Sequence, residues 1–252
     1  MTATTAIGID IGGTGIKGAV VDLTTGALLS DRVKLPTPKG GRPQDIIEAT
    51  RTLLATVSKD VGGLPVGVCF PAVVKNGHTM SAANVSSKWI GLAAEALFEK
   101  GLGHPIHFVN DADAAGYAES QFGAAQDVAG VVLLTTLGTG IGSALLNDGV
   151  LVPNTELGHL QIDGYDYETR AAYSAKERED LSWDKWAARL QKYYSTLELL
   201  FSPDLFIVGG GVSKHHESFL PLLSLKTRII PAVHRNNAGI LGAAALAARF
   251  PG

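Results

Sequence analysis

Short apolar runs, each followed by a glycine or polar turn, organise the first half of the chain. Runs such as AIGIDI and VGVCF are typical of strands, and we predict strands over 6–11, 16–22, 27–35, 65–70 and 105–109. Apolar residues recur near helical spacing over about 43–59, and a second helix is predicted over 92–101. The segment 71–90 lacks this periodicity, and an irregular stretch of that length in a compact domain is usually functional.

The second half also alternates helices with strands. It predicts helices over about 111–122, 168–178, 182–200 and 239–250, and strands over 130–136, 140–147, 150–152 and 205–208. The first-half order of three strands, helix, strand, helix and strand matches one half of the actin-like ATPase (ribonuclease H-like) fold. We therefore predict an α/β protein with two similar domains around a cleft, residues 1–111 with the C-terminal helix 239–252, and residues 112–238.

One glycine hairpin occurs twice, 125 residues apart. Residues 13–22 read GTGIKGAVVD, and residues 138–147 read GTGIGSALLN. Glycine permits positive φ and leaves the backbone open to a ligand, and successive N–H groups in such a turn form a concave anion site. The repeat, with Asp10 at the end of the first strand, predicts a clamp for a phosphate chain, whereas each hairpin taken alone is equally consistent with an ordinary tight turn.

The first hairpin also satisfies the dinucleotide-binding pattern G-x-G-x-x-G, at Gly13, Gly15 and Gly18. That pattern requires a helix directly after the strand. Here IKGAVVD followed by the turn TTG predicts a second strand, so we reject a dinucleotide-binding fold.

Composition narrows the class of protein. Of the 252 residues, 46% are hydrophobic and 18% are charged, which is typical of a soluble globular protein. The net charge of −3 gives no reason to expect nucleic acid binding. The single cysteine, Cys69, excludes a disulfide framework and favours a cytoplasmic location. We expect no signal peptide and no membrane span, because no apolar run approaches the necessary length.

Asp111 is the first candidate for chemistry. It follows the apolar strand ending at Asn110 and precedes a helix, and α/β proteins place ligands at such strand ends. Asp111 is either a helix N-cap or a general base that takes the proton of a bound alcohol.

Further polar residues cluster in or beside two irregular stretches, 71–90 and 153–167. Asn84 lies in the first, and Glu156, His159 and Glu168 lie in or beside the second, where they are suited to pairing with sugar hydroxyls. A lone histidine is also often structural. Trp89 either stacks on a sugar or fills the edge of a core.

The motifs DIGGTGIKG, NVSSKWIG, VNDADAAG, TLGTGIG, ELGH and IVGGGVS resemble, in this order, those of the ROK family of bacterial sugar kinases. The resemblance extends along nearly the whole chain, and the motifs are specific together although each is weak alone. Within the family, PNTELGHLQIDGYDYE looks most like the actinobacterial polyphosphate glucokinases. The resemblance implies a glucokinase that uses polyphosphate, ATP or both with Mg²⁺, accepts glucose with mannose as a further candidate substrate, and forms a homodimer by analogy with other members.

The same resemblance implies roles for individual residues. Asp111 is the implied catalytic base for the 6-hydroxyl of the sugar, and Asp10 is implied to lie near Mg²⁺, through water. Lys17 is grouped with the phosphate-binding residues. The implied binding residues are Asn84, Asn110, Asp111, Glu156, His159 and Glu168 for the sugar; Asp10, Gly12, Gly13, Thr14, Gly138, Thr139 and Gly140 for phosphate; and Gly209, Gly210 and Gly211 for the nucleotide. Without the resemblance, the glycines at 209–211 modestly favour a nucleotide that approaches a helix N-terminus over a simple strand-to-helix turn.

The chain departs from the family pattern after ELGH. Most members carry C-x-C-G-x-x-G-C-x-E there and bind structural zinc through those cysteines and the histidine, whereas this chain reads IDGYDYE. We therefore expect no zinc, a histidine that serves only the sugar, and a loop held by other contacts such as the rings of Tyr165 and Tyr167.

Two other functions stay open. A sugar-sensing regulatory module would bind sugar without transfer, and an exopolyphosphatase-like hydrolase would release phosphate without sugar. Polyphosphate use rests on the resemblance, because a basic track for the polymer cannot be placed on one face from sequence. Its candidates are Lys17, Arg32, Lys34, Lys39, Arg42 and Lys75.

Overall fold

The computed structural model describes residues 3–58 and 62–250. The chain divides into two compact units, Met1–Ala114 with Asn237–Gly252, and Ala115–Asn236. The functional domains predicted over 1–111 with 239–252 and over 112–238 stay a prediction. Residue 59, at the predicted end of the first helix, lies outside the described residues, as do positions 1–2 and 251–252 of the predicted first domain.

The elements alternate along the chain much as the apolar pattern predicts. The strands are β1 (Thr5–Ile11), β2 (Gly15–Asp22), β3 (Val33–Pro36), β4 (Val66–Phe70), β5 (Val74–Lys75), β6 (His78–Thr79), β7 (His107–Asn110), β8 (Val131–Leu137), β9 (Ile141–Asn147), β10 (Val150–Val152), β11 (Gln161–Ile162), β12 (Tyr165–Asp166), β13 (Leu205–Gly209) and β14 (Arg228–Pro231). The α-helices are α1 (Pro43–Val57), α2 (Ala94–Leu102), α3 (Asp111–Phe122), α4 (Glu168–Ala171), α5 (Tyr173–Arg178), α6 (Trp183–Phe201) and α7 (Ala238–Arg249). Short 3₁₀ helices cover Ser87–Trp89, Leu157–His159, Gly211–Ser218, Leu220–Leu222 and Arg235–Asn237.

Each unit is built on a five-stranded sheet of the same topology. The strand order is β3-β2-β1-β4-β7 in the first unit and β10-β9-β8-β13-β14 in the second. In each sheet the first three strands along the chain form an antiparallel meander. The last two strands run parallel to the first strand of that meander, which is β1 in the first unit and β8 in the second. This repeated topology confirms the predicted actin-like ATPase fold class.

Helix α7 packs against the sheet of the first unit at a distance that only glycine allows. A Cβ on Gly8 of β1 would lie 1.9 Å from the carbonyl oxygen of Ile240, and a Cβ on Gly67 of β4 would lie 1.9 Å from that of Ala243. The alanine-rich sequence of α7 complements this surface because small side chains permit close approach of two backbones.

An aromatic cluster fills the core of the first unit. Trp89 is fully buried and stacks on Phe98, with their ring centroids 5.6 Å apart, and its ring centroid lies 4.6 Å from that of Phe70. Its indole Nε1 donates a hydrogen bond of 2.9 Å to the carbonyl of Gly41. Of the two interpretations open for Trp89, the structure therefore supports the core residue.

The core of the second unit is also aromatic. Trp186 is fully buried against Phe219, and Tyr194 packs on Phe206 while exchanging a 2.6 Å hydrogen bond with Thr135. Trp186 is therefore a core residue of the second unit.

Two predicted elements and both irregular stretches differ from the structure. The strand predicted over 27–35 is ordered as β3 only from Val33, with Leu28 forming a single bridge to Val21. The helix predicted over 168–178 is interrupted at Ala172, whose ψ of 155° separates α4 from α5. The irregular stretches contain two small hairpins, β5–β6 and β11–β12.

Within the described ranges, no helix has the length and apolar character needed to cross a bilayer.

Candidate active site

The first glycine turn joins β1 to β2, and its carbonyl oxygens accept hydrogen bonds from other groups of the protein. The Gly12 amide donates to the Gly15 carbonyl at 3.0 Å, and the Thr37 hydroxyl donates to the Gly12 carbonyl at 2.5 Å. Gly13 and Thr14 are exposed. Because its carbonyls are engaged by the protein, the turn can present amides and the Thr14 hydroxyl to an anion.

Asn84 and Lys34 lie against this turn. A Cβ on Gly13 would stand 2.7 Å from the Cβ of Asn84, and a Cβ on Gly15 would stand 3.0 Å from the Cε of Lys34. The structure thus brings Asn84, a predicted sugar residue, next to the predicted phosphate turn. Lys34 is exposed and forms no ion pair with any carboxylate in the described part of the chain.

Asp10, at the end of β1, is paired with Lys17 on the neighbouring strand β2. The Lys17 ammonium lies 3.0 Å from Asp10 Oδ2, and the two side chains are 23% and 16% exposed, respectively. Cys69 Sγ lies 3.6 Å from Asp10 Oδ1 and, on its other side, 3.6 Å from the Gly239 carbonyl. Lys17 is therefore the ion-pair partner of Asp10.

Asp10 and Asp111 both influence the pKa of the buried Cys69 thiol. Burial raises the pKa of Cys69 well above its usual value, and the charges of Asp10 and Asp111 raise this pKa further. A charge influences a thiol in this way only from nearby. In the sheet, Asp10 pairs with Cys69, and the next residue of β4 pairs with Asn110, so the predicted base and the predicted metal-associated carboxylate lie at the same end of the parallel strands β1, β4 and β7.

The N-cap of helix α3 is Asn110 and not Asp111. Asn110 Oδ1 accepts the amides of Ala112 and Asp113 at 2.8 and 3.0 Å, and its Nδ2 donates to the Ala72 carbonyl at 3.0 Å. The side chain is buried, and one amide hydrogen is left for a ligand. Asp111 Oδ1 accepts a 2.9 Å bond from the adjacent Ala112 amide, whereas an N-cap accepts from the second or third residue after it, so the capping interpretation of Asp111 is wrong.

The second glycine turn joins β8 to β9. The Gly138 amide donates to Gly140 at 3.0 Å, while Ser174 donates from its amide to the Gly138 carbonyl at 3.0 Å and from its hydroxyl to the Thr139 carbonyl at 2.6 Å. No group in the described ranges accepts a hydrogen bond from the amides of Thr139 and Gly140. The two turns thus share a design in which the protein holds the carbonyls and leaves amides for an anion.

Glu168, the first residue of α4, contacts the second turn directly. Its Oε2 accepts a 2.6 Å hydrogen bond from the Ile141 amide. A Cβ on Gly140 would lie 2.3 Å from the same oxygen, so a larger residue there would displace the Glu168 carboxylate.

Glu156, His159 and Glu168 form one electrostatic cluster in the second unit. Desolvation raises the pKa of Glu156 above its usual value, Glu168 raises it further, and His159 opposes the rise. A hydrogen bond to Asp166 raises the pKa of His159, against a smaller lowering by desolvation, and the neighbouring carboxylates add to the rise. The segment from Glu156 to His159 also packs on Ile141, whose amide donates to Glu168, so the three predicted sugar residues of this stretch are neighbours.

The hairpin β11–β12 occupies the place of the family's cysteine segment. His159 Nδ1 lies 2.8 Å from Asp166 Oδ2, so one ring nitrogen has a protein partner, while the role of His159 toward a sugar stays a prediction. Tyr167 is buried and stacks on Tyr193 at 6.2 Å, as expected of a ring that holds the loop. Tyr165 is exposed and lies under the guanidinium of Arg170.

The glycines after β13 have a structural requirement of their own. Gly210 has a φ of 80°, and a Cβ there would lie 2.4 Å from the Leu137 carbonyl oxygen. Gly211 opens a 3₁₀ helix and faces open space. Gly210 is thus explained by the turn, while a nucleotide role for Gly209–Gly211 stays a prediction.

Sequence reasoning missed several residues that shape the site. Thr37, Asp166 and Ser174 each fix a predicted site residue through a side-chain bond from outside its motif. The dipeptide Asp163–Gly164, with φ values of 53° and 77°, is a hairpin signal that could have located β11–β12 and hence Asp166.

The chain is similar to known proteins over nearly its whole length. The model of the ROK family matches residues 6–177. A polyphosphate glucokinase of Mycobacterium tuberculosis (strain H37Rv) is 45% identical over 242 residues, covering 94% of this chain and 89% of the relative. The crystal structure of inorganic polyphosphate/ATP-glucomannokinase from Arthrobacter sp. strain KM has a TM-score of 0.94 at 52% identity, covering 98% of this chain and 99% of that one.

A more distant structure gives the same fold. The ROK family glucokinase of Streptomyces griseus, solved with glucose and AMPPNP, has a TM-score of 0.80 at 26% identity and covers 98% of this chain and 100% of that one. These matches, with the repeated sheet topology and the two glycine turns, identify the chain as a member of the ROK family.

Proposed function

We propose that this protein is a hexokinase that transfers a phosphoryl group from polyphosphate or ATP to the 6-hydroxyl of glucose. The observation that carries the proposal is the pair of glycine turns whose carbonyls are held by Thr37 and Ser174. Both the mycobacterial polyphosphate glucokinase and the Arthrobacter glucomannokinase, which resemble the chain over nearly its full length, are named for this chemistry.

Phosphoryl transfer needs positioning and charge neutralisation more than covalent chemistry by the protein. The amides of the two turns supply donors for the phosphate oxygens. Lys34 lies beside the first turn and supplies a cation for an extended polyanion, which favours polyphosphate as one donor.

The donor set fits Mg²⁺. Asp10 offers a carboxylate oxygen, and Mg²⁺ typically binds one or two carboxylates together with waters and substrate phosphates. In the described ranges no three His, Cys, Asp or Glu side chains gather as a metal cage, which suits an ion held largely by water and the donor. Bound there, the ion would neutralise phosphate charge, and Asp10 would exchange its contact with Lys17 for the hydrated ion.

Asp111 is the proposed general base. Asn110 caps helix α3, so the Asp111 carboxylate is not required for the cap and is half-exposed at the strand end. It would accept a hydrogen bond from the 6-hydroxyl, orient the oxygen toward the terminal phosphorus and take the proton as the bond to phosphorus forms. Glu156, His159 and Glu168 would pair with other hydroxyls of the sugar, with Asn84 and the remaining Asn110 hydrogen as further donors.

One incubation tests the proposal against its alternatives. The protein is incubated with Mg²⁺, glucose and either ATP or polyphosphate, while glucose 6-phosphate and free phosphate are both measured. We expect glucose 6-phosphate that depends on a donor, with mannose tested in a parallel reaction. Sugar binding without product would indicate a sensor, and phosphate release independent of sugar would indicate a hydrolase; either result would refute the proposal. Gel filtration of the same sample tests the expected homodimer.

A further inference from the structure

Glu168 contacts both the proposed sugar residues and the proposed phosphate-binding turn. It shares an electrostatic cluster with Glu156 and His159, the proposed sugar residues. It also accepts the Ile141 amide at 2.6 Å, directly after the phosphate turn 138–140. A hydrogen bond from an N–H to a carboxylate is among the stronger ones in proteins.

The contact is built into the backbone of the turn. Gly140 has no side chain, and the Glu168 carboxylate occupies the space where a Cβ would stand, at 2.3 Å from Oε2 and 2.8 Å from Cδ. The opposite side of the turn is held by Ser174. The segment α4–α5 therefore holds the turn at two points, Glu168 and Ser174.

Ile141 links the turn to the sugar residues a second time. A Cβ on Gly158 would lie 2.2 Å from the Ile141 carbonyl oxygen, so the ELGH segment packs directly on this peptide. One side of Ile141 thus touches Glu168, and the other touches the segment that carries Glu156 and His159.

We propose that Glu168 is a positioning residue for the second phosphate turn, so that the donor site depends on this side chain even when no sugar is bound. The inference rests on the proposed function and deepens it. Because the same carboxylate would also bind a sugar hydroxyl, sugar and donor affinities are coupled through it, and such coupling is reciprocal.

The test compares Glu168→Gln with Glu168→Ala in the full-length chain. Both substitutions remove the negative charge, but only glutamine retains an oxygen that can accept the Ile141 amide. Binding of Mg²⁺ with the imido analogue of ATP is measured by calorimetry in the absence of sugar. We expect the alanine variant to bind about fivefold more weakly than the glutamine variant, the effect of about one hydrogen bond. A residue that only contacted the sugar would leave the two variants equal, and that result overturns the inference.

A third variant keeps the test decisive should the alanine variant fail to fold. Glu168→Asp keeps the charge but is one methylene shorter, so its carboxylate is withdrawn from Ile141. We expect weaker analogue binding than in the wild type, and unchanged binding overturns the inference. Glucose binding by the wild type is measured in parallel: if wild type binds glucose and the analogue while the variants match, only the inference fails. If it binds neither, the proposed function fails with it.

Discussion

Asn110→Ala is the substitution whose cost follows most directly from the structure. The Asn110 side chain accepts two amides at the start of α3 and donates to the buried Ala72 carbonyl. Alanine removes both functions at once from a side chain that is only 6% exposed.

The expected loss is the sum of two terms. Removal of an N-cap costs about 1 kcal/mol, and a buried carbonyl left without a donor costs about 1–3 kcal/mol. We therefore expect the free energy of unfolding to fall by about 2–4 kcal/mol.

Urea unfolding followed by circular dichroism measures this change. Asn147→Ala is the matched control, because Asn147 is exposed at the end of β9 and its replacement should change the free energy by less than about 0.5 kcal/mol. If Asn110→Ala destabilised the protein no more than the control, the assignment of Asn110 as the helix cap would be refuted.

Three further changes probe other parts of the site. Cys69 is fully buried with a raised pKa, so it should resist a thiol reagent in the native protein and react only after unfolding; rapid native labelling would contradict the structure. Asp166→Asn removes the main cause of the raised His159 pKa, so NMR titration should show a lower pKa for His159, and an unchanged titration would refute the pairing. In the wild type the protonated His159–Asp166 pair stabilises the fold at low pH, and this stabilisation is lost as the pH rises through the pKa of His159. Lys34→Gln should raise KM for polyphosphate more than for ATP, and equal effects would remove Lys34 from a polymer track.

The strands around both glycine turns could be predicted because local sequence specifies them. Apolar runs followed by G-T-G define β1, β2, β8 and β9 almost to the residue. The start of β3 could not be read from its apolar residues, because Leu28 pairs only once and the ladder resumes at Val33, a matter of register with β2.

The candidate site was only partly accessible from sequence for a different reason. Asn110 and Asp111 are adjacent, and only the observed bonds show which of them caps the helix. The contact from Glu168 to Ile141 joins residues 27 apart through a side chain and an amide, and no motif spacing predicts it.

The most direct test of the account is the turnover of Asp111→Asn, measured beside its affinity for glucose. Asparagine fits the same space and leaves the Asn110 cap intact, so the variant should fold and bind glucose much as the wild type does. Without a base to accept the 6-hydroxyl proton, kcat for glucose 6-phosphate formation should fall by about 10²–10⁴-fold with either donor. Turnover near the wild-type rate would contradict the central claim that Asp111 directs the sugar hydroxyl at a phosphate held by the glycine turns.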